Sequence, residues 1–210
     1  ELDFLCRRWG ALLMVDEAHA SGALGPQGRG LAAECGIAPE IQMGTLGKAA
    51  GTSGAYVAGS SSLIELLTNK ARPLIYTTAA SPGVLCAALE ALKIISSEEG
   101  DQRRERLAEN VRTFHELVNS GISSGAAAGH IVPVKIGDSS RTMKVSTLCL
   151  ERGVFAHGIR FPTVPEGTAR LRFTLMSDHT QADLRKAAAV LSEALESTPQ
   201  EEGVAGTLGG

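Results

Sequence analysis

The sequence predicts an α/β fold: a larger α/β layer followed by a small α+β lobe. Three observations carry that expectation. Short apolar runs alternate with helical spacing through the first hundred residues. A β-α-β-β-α order follows a Gly/Ser/Ala segment in the second half. An apolar run also ends on Asp16, where open α/β sheets place ligands. The expected boundaries are 1–100 for the larger layer, 101–196 for the lobe and 197–210 for a Pro-, Glu-, Gly- and Thr-rich disordered tail.

The elements follow in order. Glu1 to Trp9 has the spacing of the last turns of an amphipathic helix, stopped by Gly10. Residues 11–16 make a strand, and Gly22, Gly25, Gly28 and Gly30 mark a turn-rich segment after it. Residues 41–45 and 54–59 are strand candidates, and Ser60 or Ser61 caps a helix through Leu63, Ile64, Leu66 and Leu67. Leu74-Ile75-Tyr76-Thr77-Thr78 has strand composition. From Pro82 a helix runs through Leu85, Ala88, Leu89, Leu92 and Ile95. The pattern breaks over 96–102 and resumes as a charged helix over 103–118, and 121–129 is a loop. The lobe then comprises a strand over 130–136, a helix over 143–152, a strand near Val154, an alternating strand over 170–175 and a helix over 181–195.

Composition narrows the function classes. The 210 residues, 43% hydrophobic and 20% charged, suffice for a sizeable core. A net charge of −3 gives no electrostatic reason for nucleic acid or an anionic membrane as partner. Cys6, Cys35, Cys86 and Cys149 form no C-x-x-C pair, which points away from metal or a disulfide framework and toward reduced thiols in a cytoplasmic protein. No signal peptide and no apolar run of membrane-spanning length is seen. The chain opens at Glu1 inside a helix, which suggests a fragment.

Two segments carry chemistry: Val15-Asp16-Glu17-Ala18-His19 and Gly44-Thr45-Leu46-Gly47-Lys48-Ala49. A carboxylate, an imidazole, a hydroxyl and an isolated lysine are the groups that hold pyridoxal phosphate: the amine condenses with the aldehyde and the carboxylate keeps the ring nitrogen protonated. Each has a plainer reading alone. Asp16 could be a turn residue and His19 a structural histidine. Lys48 is harder to explain, because a glycine- and alanine-lined setting makes desolvation of an ammonium costly. Asp16-Glu17-Ala18-His19 also spells a helicase box, and Gly47-Lys48 suggests a phosphate loop. That loop needs G-x-x-x-x-G-K-[ST], whereas here two residues separate the glycines and Ala49 replaces the hydroxyl.

The chain resembles the α-oxoamine synthases, pyridoxal-phosphate enzymes of the fold type I aminotransferase class. The resemblance rests on Asp16 to Gly25, Gly28-Arg29-Gly30, Gly44 to Lys48, Gly54 to Gly59 and Ile75-Tyr76-Thr77-Thr78. It implies a fold type I large domain, present in part, before a small carboxyl-terminal domain. Catalytic roles fall to Lys48, His19 and Asp16, and cofactor binding to Asp16, His19, Thr45 and Lys48. Thr77 and Thr78 would reach the phosphate of a neighbouring subunit in a homodimer.

The stretch Gly158 to Arg172 (Gly158-Ile159-Arg160-Phe161-Pro162-Thr163-Val164-Pro165-Glu166-Gly167-Thr168-Ala169-Arg170-Leu171-Arg172) is similar to the branch that joins a pimeloyl thioester, on coenzyme A or acyl carrier protein, to L-alanine. Thr163 and Arg160 then contact substrate. Glycine C-acetyltransferase and 5-aminolevulinate synthase types are the alternatives within the family. A shortened relative without turnover is the alternative outside catalysis. Family members are about twice this length, so bare hydrophobic surface and aggregation are expected of the isolated chain.

Overall fold

A computed structural model describes residues 1–118 and 129–199. Of the expected loop, residues 121–128 lie outside that description, as do residues 200–210 of the expected tail. The chain divides into two compact units between Glu105 and Arg106.

The first unit opens with helix α1 (Leu2–Trp9), which Gly10 ends in the left-handed conformation, φ 62°. Strand β1 (Met14–Asp16) is shorter than the expected 11–16. Ladder pairing starts only at Met14, while the Leu13 amide donates to the Glu40 carboxylate at 2.8 Å. A 3₁₀ turn and the short helix α2 (Leu31–Glu34) follow, then β2 (Ile41–Thr45) and β3 (Ala55–Gly59). The strands form a three-stranded sheet in the order β1-β2-β3, with β1 and β2 parallel and β2 and β3 antiparallel.

Helix α3 (Ser61–Lys70) is capped by the Ser60 hydroxyl, which accepts from the Leu63 amide. The strand expected over 74–78 is not there. Its first residues belong to a helical turn, α4 (Arg72–Ile75), and Tyr76 to Thr78 follow without regular pairing. Pro73 in the first turn presets a helical φ, and the Ala71 carbonyl accepts from the Leu74 and Ile75 amides. Helix α5 (Pro82–Ile95) carries its proline in the first turn behind the Ser81 cap.

Helix α6 (Glu98–Val118) begins five residues before the expected 103, so the break spans little more than Ser96 and Ser97. Its polar first turn hid it. Gly100 allows the approach: a Cβ there would stand 2.3 Å from the Ile95 carbonyl oxygen.

The second unit holds the larger core. Strands β4 (Ile131–Gly137), β5 (His157–Ile159) and β6 (Ala169–Thr174) form an antiparallel sheet in the order β4-β6-β5. Helices α7 (Ser139–Glu151) and α8 (Gln181–Glu196) complete it. Val132, Val134, Leu171 and Phe173 from the sheet pack with Val145 and Cys149 of α7, Leu184 and Leu191 of α8, and Phe114 of α6. The Phe114 and Phe173 rings meet at 5.0 Å between centroids.

Helix α7 starts at Ser139 rather than 143, because the Asp138 carboxylate accepts from the Arg141 amide and anchors an earlier turn. The strand expected near Val154 instead begins at His157. Val154 is tied to the end of α7, its amide donating to the Cys149 carbonyl at 2.8 Å after Gly153 turns at φ 77°. Thr180 and Asp183 form a reciprocal cap on α8.

The units differ in how well they enclose apolar side chains. Among the described residues, the buried hydrophobics of the first unit are Ala32 and Ala88. Leu2, Phe4 and Trp9 of α1, all five residues of β3, and Leu85, Leu89 and Leu92 of α5 are exposed. No described helix is long and apolar enough to cross a membrane.

Candidate functional site

Because β1 and β2 run parallel, their carboxyl ends share one edge of the first sheet. Asp16 closes β1 opposite Met43, and Thr45 closes β2 two residues beyond. Alternation along β1 sends Val15 and Glu17 to one face and Met14 and Asp16 to the other, so Asp16 is exposed while Glu17 is buried. The Asp16 Oδ1 accepts from the Ala18 amide at 2.9 Å and bends the chain into the turn that carries His19, which is exposed.

The lysine turn is built just as locally. The Thr45 hydroxyl donates to the Gly54 carbonyl (3.1 Å) and accepts from the Gly47 amide (3.2 Å). The Leu46 amide donates to Gly54, and the Gly51 amide to the Lys48 carbonyl at 2.9 Å. Thr45 therefore shapes the loop that presents Lys48. Lys48 itself is exposed, so the secluded setting expected of it is not found in this chain.

The two turns meet. Gly22, in the His19 turn, lies so close to Ala49, the residue after Lys48, that a Cβ on Gly22 would stand 2.6 Å from the Ala49 Cβ. Behind them the Ser21 and Tyr56 hydroxyls share a hydrogen bond of 2.9 Å. The Tyr56 ring occupies the space a side chain at Gly44 would need, its hydroxyl 2.5 Å from where that Cβ would be. Asp16, His19, Thr45 and Lys48 thus share one sheet edge and its adjoining turns. Thr77 and Thr78 are exposed in the segment between α4 and α5 rather than on a strand.

Arg160 and Thr163 belong to the second unit, in the turn after β5, where the Thr163 amide donates to the Arg160 carbonyl at 3.0 Å. Arg160 lines an open depression of about 610 Å³ with Asp138, Ser139, Phe161 and Glu166. Among the described residues no cluster of His, Cys, Asp and Glu could hold a metal ion.

Sequence reasoning missed Glu17 and the Ser21–Tyr56 pair. The signal for Glu17 was available: it stands two residues after Val15, so strand alternation puts it on the inner face. Ser21 and Tyr56 are 35 positions apart and left no comparable pattern.

Comparison with known proteins adds independent findings. The family described as aminotransferase class I and II matches residues 1–191. The 8-amino-7-oxononanoate synthase of Geobacter metallireducens is 48% identical over 195 residues, covering 91% of this chain and 50% of that protein. Its counterpart in Citrifermentans bemidjiense is 44% identical over 192 residues, covering 90% and 49%. Among solved structures, the serine palmitoyltransferase of S. paucimobilis with bound PLP-myriocin aldimine gives a TM-score of 0.86 at 26% identity, covering 93% of this chain and 50% of that one. The 8-amino-7-oxononanoate synthase of Francisella tularensis gives 0.79 at 31% identity, covering 93% and 58%. The chain spans about half the length of the curated relatives it matches.

Proposed function

The chain belongs to the aminotransferase class I and II family, and from that premise we propose that it carries the lysine-bearing part of an α-oxoamine synthase. The reaction is the decarboxylative condensation of L-alanine with a pimeloyl thioester, on coenzyme A or acyl carrier protein, giving 8-amino-7-oxononanoate for biotin synthesis. Pyridoxal 5′-phosphate is the coenzyme. The observation that carries this reading is the meeting of the His19 turn with the Lys48 turn at Gly22 and Ala49, on the edge where β1 and β2 both end.

The donor set at that edge fits the coenzyme: an amine for its aldehyde, a carboxylate for its ring nitrogen, an imidazole for its ring oxygen and the Thr45 hydroxyl for its phosphate. When bound, the coenzyme supplies a pyridinium ring that stabilises negative charge at the amino acid's Cα. Lys48 Nζ would hold the aldehyde carbon of the coenzyme, and the same amine, when free of it, would move the alanine Cα proton. The Asp16 carboxylate keeps the proton on the ring nitrogen. His19 donates to the ring oxygen, and Thr45 binds phosphate. Thr77 and Thr78 serve the phosphate of the other subunit of a cytoplasmic homodimer. Thr163, with Arg160 beside it, contacts substrate.

The experiment is borohydride reduction of the full-length protein with its coenzyme, followed by peptide mass spectrometry. The coenzyme should be fixed on Lys48, and Lys48→Ala should abolish both the adduct and turnover. Fixation elsewhere, or turnover by Lys48→Ala, overturns the reading. Assay with pimeloyl, acetyl, succinyl and palmitoyl thioesters tests the acyl choice against the glycine C-acetyltransferase and 5-aminolevulinate synthase types. A second reading, that these 210 residues alone fold or misfold without turnover, is favoured by the exposed Lys48 and the bare apolar faces of the first unit. The same assay on the 210-residue chain alone decides it.

A further inference from the structure

Glu17 is the one fully buried carboxylate among the described residues, 1% exposed, and the chemistry above gives it no task. Both its oxygens are occupied. Oε1 accepts from the Ala32 amide at 2.7 Å and Oε2 from the Leu31 amide at 2.9 Å, the first two amides of α2. Gly30 makes room for this: at φ +93°, a Cβ there would stand 2.6 Å from Oε2. The backbone of Glu17 is tied as firmly. Its amide donates to the Met43 carbonyl at 2.7 Å, extending the β1–β2 pairing, and its carbonyl accepts from Ala20 and Ser21 at 2.9 and 2.8 Å. The intervening turn is closed on itself by Gly22 to Gly28 (2.8 Å) and Gly30 to Leu24 (2.9 Å).

One residue thus fastens the end of β1 to the start of α2, with Asp16 immediately before it and His19 two residues after. A buried carboxylate is a costly way to gain stability alone, since an apolar side chain of similar size does as well or better. What the two charge-assisted bonds add is direction. We infer that Glu17 is a positioning residue: its clasp on the Leu31 and Ala32 amides sets the aim of Asp16 and His19. This rests on the coenzyme reading above. It also explains why a carboxylate stands here, because an amide of the same size would turn an NH₂ donor toward one of the two N–H groups.

The test uses the full-length protein with Glu17→Gln, and Gly30→Ala as an independent way to push the clasp apart. Ser60→Ala, which removes a helix cap elsewhere in the first unit, is the control. Hydrogen exchange at Leu31 and Ala32 should quicken about tenfold or more in both clasp variants. The ring NMR cross-peaks of His19 should move in the coenzyme-free protein, and the coenzyme Kd should rise about tenfold, as a small loss of alignment requires. Ser60→Ala should change none of the three. Unaltered exchange at Leu31 and Ala32 refutes the clasp. Faster exchange with His19 cross-peaks and Kd unmoved refutes the aiming role while leaving the coenzyme reading intact. If wild-type Lys48 takes up no coenzyme, the coenzyme reading falls, and the His19 cross-peaks alone then decide whether the clasp orients that turn.

Discussion

Gly22→Ala probes the contact between the His19 and Lys48 turns on which the proposed function rests. The perturbation has two parts that the structure separates. Gly22 has φ +84°, and an L side chain in the left-handed region costs about 1–2 kcal/mol. The new methyl would also stand 2.6 Å from the Ala49 Cβ and 3.3 Å from the Ile95 Cδ1. Carbon atoms settle at roughly 3.5–4.0 Å, so the two turns must part by about 1 Å, and such overpacking costs a further 1–3 kcal/mol or so. Gly36→Ala isolates the first part: Gly36 has φ +67° and nothing within 4 Å of its would-be Cβ. Urea unfolding should therefore show Gly36→Ala losing about 1–2 kcal/mol and Gly22→Ala about 2–5 kcal/mol. Displacing the His19 turn from the Lys48 turn by about 1 Å should also lower turnover of the full-length protein roughly 100-fold, with Gly36→Ala near wild type. Equal stability loss in both variants with normal turnover would refute the reasoning, because the contact at Ala49 would then carry neither packing nor alignment.

Leu171 is fully buried, so Leu171→Ala should cost about 2–5 kcal/mol by urea unfolding. Asp183 is held below the ordinary carboxylate range by the Thr180 hydroxyl and then by the Thr180 amide. A depressed folded value means the cap is fully stabilising above the unfolded carboxylate's pKa of about 3.9 and is lost as pH falls through the lower folded value. Exchange at the first amides of α8 should accordingly quicken over that acid window in wild type and show no such step in Asp183→Ala. Burial pushes the Cys149 thiol up, whereas Cys35 and Cys86 are exposed. Under native conditions a thiol reagent should label the two exposed cysteines first and Cys149 only on unfolding.

Where a local signal decides structure, the sequence was readable. Ser60 caps one helix, Pro82 sits in the first turn of another, Gly10 stops a third, and the β-α-β-β-α order of the second unit follows its apolar periodicity. Two misses share a cause, a local preference overruled by a neighbour, and a third lacks any pattern to read. Leu74 to Thr78 has strand composition, yet Pro73 and the Ala71 carbonyl set a helical turn. The polar start of α6 carries no apolar stripe, so its helix was invisible to periodicity. Val154 is β-branched and buried, but its amide is claimed by the end of α7.

The site divides along the same line. Which groups stand near one another was legible, because a strand end and a glycine-rich turn place Asp16, Thr45 and Lys48 by topology alone. How deeply they sit was not. Burial is a property of everything packed around a residue, and the apolar neighbours taken to seclude Lys48 are a glycine and alanines too small to cover a four-carbon stem. The same smallness has a positive consequence. Small residues at 22 and 49 are what let two turns close on each other to a separation that any larger pair would forbid. The glycines and alanines around Lys48 therefore bring another segment to it rather than shield it. That segment ends in Glu17, whose buried carboxylate holds the far side of the turn. Lys48 and Asp16 thus owe their common edge to parallel pairing on one side and to a clasp of two amides on the other. Loosening either side should separate the groups that the proposed coenzyme chemistry needs together.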